Sequence, residues 1–395
     1  MFKCMQEFFH AWSGMRQFDS LDLGEKDVVF YAEDNASWVH FEPIIKALLE
    51  KHDQGFCYLT SSIEDPILNS TDKRIKAYFI GNGMLRTALF SSLKAGVVIM
   101  TMPDLDNYYI KRSKVHSVHY AYVFHNMAST HMVFRSGAYD HYDTIFCVGP
   151  HHENEIREAE KLYDLPKKNL VKHGNSRLDS VILEASKRGK ESLPSEKGKK
   201  RVLIAPSYGK NSLLEVCGIK LIHVLLGAGY SVTARPHPLT TRHNKALISE
   251  IIEKYGNDPD FSIETNVASQ ASLQSSHLII SDYSGAAFEF AFGLGRPALF
   301  IDVPRKVNNL KYEELKCEPF EVFIRSEIGA VVSPDDLKKI PEFVESLVLS
   351  QKSFDEKIKT LRSQNIFNVG VSGIAGAEAI IQCLNRVNAE QAKGE

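Results

Sequence analysis

Short apolar segments alternate with amphipathic ones along the first half of the chain. The apolar runs, rich in Val, Ile, Phe and Tyr, occupy residues 27–31, 55–60, 77–80, 96–100, 117–124, 144–148 and 169–172. Between them, the spacing of apolar positions predicts helices, for example over 38–51 and 84–94. Apolar strands that alternate with helices are typical of a parallel sheet covered on both faces, which indicates an α/β fold.

A polar segment divides the chain, and the same alternation resumes after it. Residues 187–201 read KRGKESLPSEKGKKR, which contains no set of side chains able to form a core and indicates an interdomain linker. Strands are then predicted at 201–205, 231–234, 261–264, 277–281, 298–301 and 330–332. We therefore expect two doubly wound, Rossmann-like domains facing a central cleft, over 1–190 and 191–365. The helical segment 366–395 is positioned to pack back against the first domain.

Composition and charge narrow the functional classes. The 395 residues are 44% hydrophobic and 24% charged, which is enough apolar material for two cores. A formal net charge of −2 argues against a general nucleic-acid binder. The six cysteines are scattered, with no CxxC pair and no zinc-type Cys/His cluster, so we interpret them as reduced core residues of a cytosolic protein.

The first 18 residues are not expected to form an export signal or a membrane span. Charged and polar positions interrupt them at Lys3, Glu7, His10 and Arg16. A helix here would nevertheless carry one apolar face, formed by Phe2, Met5, Phe8, Phe9 and Trp12. That face would either pack on the protein or contact a membrane surface.

The strongest local signal is the segment 277–292, HLIISDYSGAAFEFAF, in which a buried strand leads through a polar turn into a helix. Free N–H groups and the helix dipole at such a turn suit a phosphate, with hydroxyls from Ser281 and Ser284 and close approach at Gly285. Glu289, one turn into the helix, would accept hydrogen bonds from a ribose. The alternative is that Asp282 and Ser284 only cap the helix and Glu289 is solvated.

Two further predicted strands of the second half end in polar turns. In ARPHP, at 234–238, two prolines stiffen the surroundings of His237, which would contact a pyrophosphate while Arg235 supplies a cation. The alternative is a loop histidine beside an exposed arginine. In APSYGK, at 205–210, Ser207 and Tyr208 occupy the first β/α turn, where Tyr208 offers a flat surface. This turn lacks the spacing of a Walker A loop.

In the first half, the segment YAYVFHNMASTHMVFR, at 120–135, places His125 directly after an apolar run. A histidine there is a candidate general base, and His131 is a lesser candidate. No HExxH pattern points to a metal site. In GNSRLD, at 174–179, Arg177 and Asp179 either line the cleft or pair with each other.

The order of these motifs resembles the CDP-glycerol glycerophosphotransferase family, whose members build teichoic-acid-like polymers. The resemblance covers residues 125–302 and implies a GT-B architecture in which the second half binds the nucleotide and the first half receives the acceptor. It makes His125 the base and His237 the group beside the donor pyrophosphate. The other implied donor-binding residues are Arg177, Ser207, Tyr208, Arg235, Ser281, Asp282, Ser284, Gly285 and Glu289. The chain departs from the family pattern at Asn126 and Tyr208, where Gly and Trp are typical.

The resemblance implies transfer of glycerol phosphate, or a related polyol phosphate, from CDP-glycerol or a similar CDP-polyol. The acceptor would be a hydroxyl of a saccharide, a polyol phosphate or a lipid-linked molecule in the synthesis of a capsule, a teichoic-acid-like polymer or lipopolysaccharide. We expect no cofactor and no metal, and a cytoplasmic location with contact at the inner membrane surface as an open alternative. The alternatives in function are a GT-B glycosyltransferase or epimerase using a nucleotide sugar, and a non-catalytic nucleotide-binding scaffold.

Overall fold

The computed structural model describes residues 2–188, 198–266 and 269–394. The chain divides into two compact units, the first comprising 1–125, 134–176 and 366–395 and the second comprising 126–133 and 177–365. Most of the predicted linker, residues 189–197, lies outside the described residues.

Fourteen helices occur in the described residues. They are α1 Phe2–Asp19, α2 Trp38–His52, α3 Met84–Ser91, α4 Pro150–Leu162, α5 Ser176–Arg188, α6 Ile219–Gly227, α7 Pro238–His243, α8 Lys245–Tyr255, α9 Ala271–Ser275, α10 Gly285–Leu294, α11 Phe320–Glu327, α12 Ile340–Leu349, α13 Gln351–Asn365 and α14 Ser372–Gly394. Helix α5 packs within the second unit because Val181 contacts α10 at Gly293, where a Cβ would lie only 2.4 Å from the Val181 side chain. The division between the units falls at residues 176–177.

The first unit is built on a parallel sheet of seven strands. They are β1 Val28–Ala32, β2 Phe56–Thr60, β3 Ile75–Phe79, β4 Val97–Met100, β5 His119–Val123, β6 Thr144–Cys147 and β7 Asn169–Lys172. Their order is β3-β2-β1-β4-β5-β6-β7. Strands β1, β2, β4 and β6 are buried along their whole length, as expected for a sheet with helices on both faces.

The C-terminal helix α14 belongs to the first unit, where it packs against α2. Small residues allow the close approach: a Cβ on Gly373 would lie 2.5 Å from the Pro43 carbonyl oxygen, and one on Gly376 would lie 2.9 Å from the Ile44 side chain. Ala377 and Ile380 are fully buried in the same core. This packing covers one face of the sheet.

Helix α1 packs through a face other than its most apolar one. Ala11 and Phe18 are buried, and Gly14 lies directly against the backbone of Phe79. The predicted apolar face remains exposed at Met5, Phe8, Phe9 and Trp12. Packing against β3 therefore does not use that face. Within the described residues, none of the helices combines the length and the apolarity needed to cross a bilayer.

The second unit is built on a parallel sheet of six strands. They are β8 Arg201–Ile204, β9 Ser231–Ala234, β10 Phe261–Ile263, β11 Leu278–Ser281, β12 Ala298–Ile301 and β13 Gly329–Val332. The order β10-β9-β8-β11-β12-β13 is that of a Rossmann fold, with its switch point between β8 and β11. The predicted fold class, two doubly wound parallel sheets, is confirmed.

Candidate active site

The turns that follow β8 and β11 meet at the switch point of the second sheet, where Asp282 joins them. Its carboxylate accepts the N–H of Ser207 at 2.7 Å, the Ser207 hydroxyl at 3.0 Å and the N–H of Leu213 at 2.9 Å. It also accepts the N–H of Tyr283 at 2.7 Å. Asp282 is fully buried. A carboxylate with four donors in low dielectric is strongly held, so this residue locks both turns in place.

The neighbouring serines divide into a buried one and a surface one. Ser281 is fully buried, and its hydroxyl donates to the Ala205 carbonyl oxygen at 2.7 Å. Ser284 is the N-cap of α10, and its hydroxyl accepts the N–H of Ala286 at 3.4 Å. The helix begins at Gly285 and has no acidic residue in its first turn. The partly exposed start of α10 is thus a positive site that an anion can approach.

Three side chains form a stack beside these turns. The rings of Tyr208 and His237 lie 4.6 Å apart between centroids, and the Lys306 ammonium lies 3.3 Å from the Tyr208 ring centroid. Burial lowers the pKa of Lys306 to about 8, and the negative charge of Asp282 partly opposes this change. The Tyr208 ring therefore contacts both a cation and an imidazole.

His237 is oriented by its own helix. It is the N-cap of α7, and its Nδ1 accepts the N–H of Leu239 at 3.1 Å. Since Nδ1 is an acceptor, the proton of the neutral ring resides on Nε2. Within the second unit, His237 is therefore arranged to donate a hydrogen bond through Nε2.

A buried charge cluster accompanies the stack. The Arg177 Nε lies 3.3 Å from a Glu289 carboxylate oxygen, and both side chains are largely buried. Arg235 is 5% exposed and donates to the Ser269 carbonyl oxygen at 3.0 Å. Burial lowers the pKa of Arg235, whereas the charges of Glu289 and Glu264 act in the opposite direction. Arg177 thus pairs with Glu289 of α10, a partner the sequence analysis did not consider.

In the first unit, His125 follows β5, and its ring nitrogen Nδ1 contacts two neighbouring groups. Its Nδ1 lies 3.2 Å from the Thr101 carbonyl oxygen and 3.3 Å from the Tyr122 hydroxyl. A carbonyl oxygen can only accept, so the proton of the neutral ring resides on Nδ1 and Nε2 carries the lone pair. That is the arrangement of a general base.

The segment that follows His125 is bound into the second unit. The fully buried Glu321 accepts the Ser129 N–H at 2.7 Å and its hydroxyl at 2.8 Å. His131, the lesser candidate, makes a 3.0 Å contact between its Nε2 and the Cys317 carbonyl oxygen and is 7% exposed. Its position indicates a structural role.

Sequence reasoning missed Lys306 and His40. Lys306 follows β12 in DVPRKVN, and a basic pair directly after a strand was the available signal. His40 lies in the first turns of α2, with its ring 6.2 Å from that of His125. A helix that follows a strand begins at the carboxyl edge of the sheet, where ligands usually bind. This position was the available signal for His40.

In the described parts of the two units, neither a disulfide nor a cluster of metal-ligating side chains occurs. None of the five cysteines with described side chains is joined in a disulfide: Cys57, Cys147, Cys217, Cys317 and Cys383. No group of three His, Cys, Asp or Glu side chains there is close enough together to hold a metal ion.

The site residues predicted from the sequence, and Lys306, lie inside a region that matches one protein family. The model of the family described as CDP-Glycerol:Poly(glycerophosphate) glycerophosphotransferase matches residues 64–313, well over half of the chain. The chain belongs to this family. The resemblance drawn from the motifs is thereby confirmed, and the protein is an enzyme of the CDP-glycerol glycerophosphotransferase family.

Solved structures extend the similarity to the whole fold. The wall teichoic acid polymerase TagF is 14% identical, with 99% of each chain covered and a TM-score of 0.60. The UDP-GlcNAc 2-epimerase of Methanocaldococcus jannaschii, in complex with UDP-GlcNAc and UDP, is 15% identical over 91% of this chain and 99% of its own, with a TM-score of 0.54. At these identities the likeness shows a common GT-B-like fold. No curated protein sequence matches the chain.

Proposed function

We propose that this glycerophosphotransferase-family enzyme transfers glycerol phosphate, or a related polyol phosphate, from CDP-glycerol or a similar CDP-polyol to an acceptor hydroxyl. The acceptor is a saccharide, a polyol phosphate or a lipid-linked molecule that is extended into a cell-surface polymer. The family match and the likeness to TagF, which has also been solved after soaking with CDPG, support this proposal.

The observation that carries the proposal is that the two candidate histidines have complementary tautomers. The Thr101 carbonyl holds the proton of His125 on Nδ1, which leaves Nε2 as a base. The Leu239 N–H holds the proton of His237 on Nε2, which makes that nitrogen a donor. Transfer of a phosphate to an alcohol needs a base that takes the proton of the alcohol. It also needs a hydrogen-bond donor that stabilises the leaving phosphate.

In the proposed reaction, the acceptor oxygen attacks the β-phosphorus of the donor. A new P–O bond forms, the bond from the β-phosphorus to the bridging oxygen breaks, and CMP leaves. The acceptor proton passes to Nε2 of His125. The negative charge that develops on CMP is stabilised by the Nε2–H of His237 and by the N–H groups at the start of α10.

The remaining donor-binding residues divide into contacting and positioning groups. The diphosphate contacts Ser284 and Gly285 at the partly exposed start of α10. It also contacts Tyr208 and Lys306. The buried residues Ser281, Asp282, Ser207, Arg177 and Arg235, together with the partly exposed Glu289, hold the turns and the cluster in place. This assignment gives a positioning role to Ser281 and Arg235, for which the family resemblance implies phosphate contacts, because both side chains are buried.

Turnover of CDP-glycerol with a panel of saccharide and polyol phosphate acceptors tests the reaction, with CMP release and product mass as readouts. Loss of His125 in His125→Ala should lower kcat by about 10²- to 10⁴-fold. The exposed histidine of the same unit provides the control His141→Ala, and His223→Ala serves the second unit; both should retain activity.

Glutamine variants separate the two roles. The amide N–H of glutamine replaces a donating Nε2–H but cannot act as a base. We therefore expect His237→Gln to recover much of the activity lost in His237→Ala, whereas His125→Gln should stay as inactive as His125→Ala. If His125→Gln regained the activity that is lost in His125→Ala, the role of His125 as the base would be disproved. Release of UDP from nucleotide sugars, with CDP-glycerol inert, would disprove the reaction, and nucleotide binding without turnover would indicate a scaffold.

A further inference from the structure

An exposed aspartate follows β12 in the second unit, and two buried side chains hold it. Asp302 has 54% of its side chain exposed. Its Oδ1 accepts a hydrogen bond from the Arg325 Nη2 at 2.9 Å and a longer one from the Tyr283 hydroxyl at 3.4 Å. Arg325 and Tyr283 are only 5% and 6% exposed. One oxygen of this carboxylate is therefore fixed from below, while the side chain stays accessible from outside.

The support beneath Asp302 is rigid. The Arg325 guanidinium lies 4.1 Å from the centroid of the Tyr283 ring and 5.9 Å from that of the fully buried Phe300 ring. Its Nη2 also donates to the Tyr283 hydroxyl at 3.0 Å. A buried guanidinium that packs against two rings has little freedom to move, so it presents Asp302 in a defined position.

The second oxygen of Asp302, Oδ2, has no hydrogen-bond partner among the described residues. A carboxylate oxygen accepts hydrogen bonds from hydroxyl and ammonium groups. The surrounding charge decides between them, because Arg325 neutralises Asp302 and the same loop carries two further cations, Arg305 and Lys306. This excess of positive charge disfavours an ammonium group and leaves a neutral hydroxyl as the better partner.

The register of the sheet places Asp302 beside the start of α10. Ser281 of β11 is aligned with Phe300 of β12, so Tyr283 and Asp302 each lie two residues beyond an aligned pair. Adjacent strands are roughly 5 Å apart. Tyr283 directly precedes Ser284, the N-cap of α10, and consecutive Cα atoms are about 3.8 Å apart. The Cα atoms of Asp302 and Ser284 therefore lie within roughly 9 Å of each other.

A short polyol on a phosphate can span this distance. The start of α10 is the proposed binding site of the donor diphosphate, and the polyol of the donor is attached to the β-phosphate. Hydroxyl groups on that polyol are neutral and lie a few bonds from the phosphorus. They match an accessible carboxylate oxygen at the edge of a positive site.

We propose that Asp302, held by Arg325 and Tyr283, binds the hydroxyl groups of the polyol that the donor carries on its β-phosphate. This inference deepens the proposed function and rests on it for the identity of the donor. Asp302 thereby distinguishes a CDP-polyol from a CDP-alcohol of the same length and charge that lacks hydroxyl groups.

The test is calorimetric binding of two donors to the full-length chain. CDP-glycerol is compared with CDP-propanol, which has the same charge and chain length but lacks the two free hydroxyls of glycerol. The wild type should bind CDP-glycerol at least tenfold more tightly, since hydrogen bonds to a charged group are strong. In Asp302→Asn this preference should fall below about threefold, because a neutral amide binds a hydroxyl less strongly, while the affinity for CDP-propanol stays the same.

A matched control and a second variant complete the test. Asp260 precedes β10 at the opposite edge of the same sheet and forms an ion pair with Lys199. Asp260→Asn should therefore keep the wild-type preference. If Asp302→Asn fails to fold, Asp302→Glu decides the result. It retains the negative charge beside Arg325 but moves the carboxylate by one methylene group, so it should also lose most of the preference.

The proposal is overturned if the wild type binds the two donors equally, or if the folded variants at Asp302 keep the preference. It is also overturned if these variants weaken both donors to the same extent, which would indicate a contact with the nucleotide or a purely structural ion pair. The assay needs no turnover. The proposed reaction fails if CMP is not released although the preference for CDP-glycerol persists, whereas the polyol site fails if CMP is released without such a preference.

Discussion

The Lys306 ammonium lies 3.3 Å from the centroid of the Tyr208 ring, whose other neighbour is the imidazole of His237. This contact joins three separate turns of the second sheet, those that follow β8, β9 and β12. It places a cation with a lowered pKa against the aromatic ring that also contacts His237, the group proposed to donate to the leaving phosphate. The relationship leads to the first prediction.

Lys306→Met should lower kcat/KM for CDP-glycerol, and Lys306 should impose a pH dependence on the wild type. Because its pKa is lowered to about 8, the ammonium is charged below that pH and loses its proton above it. Activity of the wild type should thus fall as the pH rises through 8. Lys306→Arg should keep its charge and show no such fall. If the activity of Lys306→Met still falls as the pH rises through 8, another group causes the fall. Lys311→Met, which alters an exposed lysine, is the control.

Asp282→Asn should destabilise the second unit by about 2–4 kcal/mol, measured by urea unfolding. The carboxylate accepts three backbone N–H groups and one hydroxyl while fully buried, and an amide can satisfy only part of this set. Asp336→Asn removes a surface ion pair with Lys339 and should cost under about 1 kcal/mol. Equal stability of the two variants would contradict the role of Asp282.

His173 should make the protein acid-sensitive. It is 1% exposed, and burial lowers its pKa to about 4 from an ordinary value near 6.5. As the pH falls from 6.5 to 4, His173 becomes protonated in the unfolded state but stays neutral in the folded state. The free energy of unfolding should therefore fall, by on the order of 3 kcal/mol in total, and level off below pH 4. In His173→Leu this part of the pH dependence should be missing from the unfolding curves.

Glu321→Gln should loosen the segment 126–133 without unfolding the sheet. Glu321 accepts both the N–H and the hydroxyl of Ser129, and the charge strengthens both bonds. Hydrogen exchange of residues 126–133 should become faster, while β8 and β11 keep their protection. Unchanged exchange in this segment would show that the other contacts, such as the Asn309 side chain to the His131 carbonyl at 2.9 Å, suffice to hold it.

The regular elements could be predicted because each strand and helix is encoded by its own apolar pattern. All thirteen predicted strands are present, and β9, β12 and β7 have the predicted bounds. The turn residues at strand ends were likewise visible, since the carboxyl ends of parallel strands lie at one edge of a sheet. The apolar face of α1 was misleading, because packing used its small residues Ala11 and Gly14 instead.

The sequence by itself determined the two doubly wound sheets, the family and the histidines that carry the proposed chemistry. Only the tertiary structure decided which of the polar turn residues remain partly exposed and which are buried and hold the turns, as Ser284 and Asp282 illustrate. It alone brought Lys306 to Tyr208 and Arg325 to Asp302. Local patterns report on neighbours along the chain, whereas burial, tautomer and ion pairing depend on residues that are distant in sequence and meet only when the sheets form.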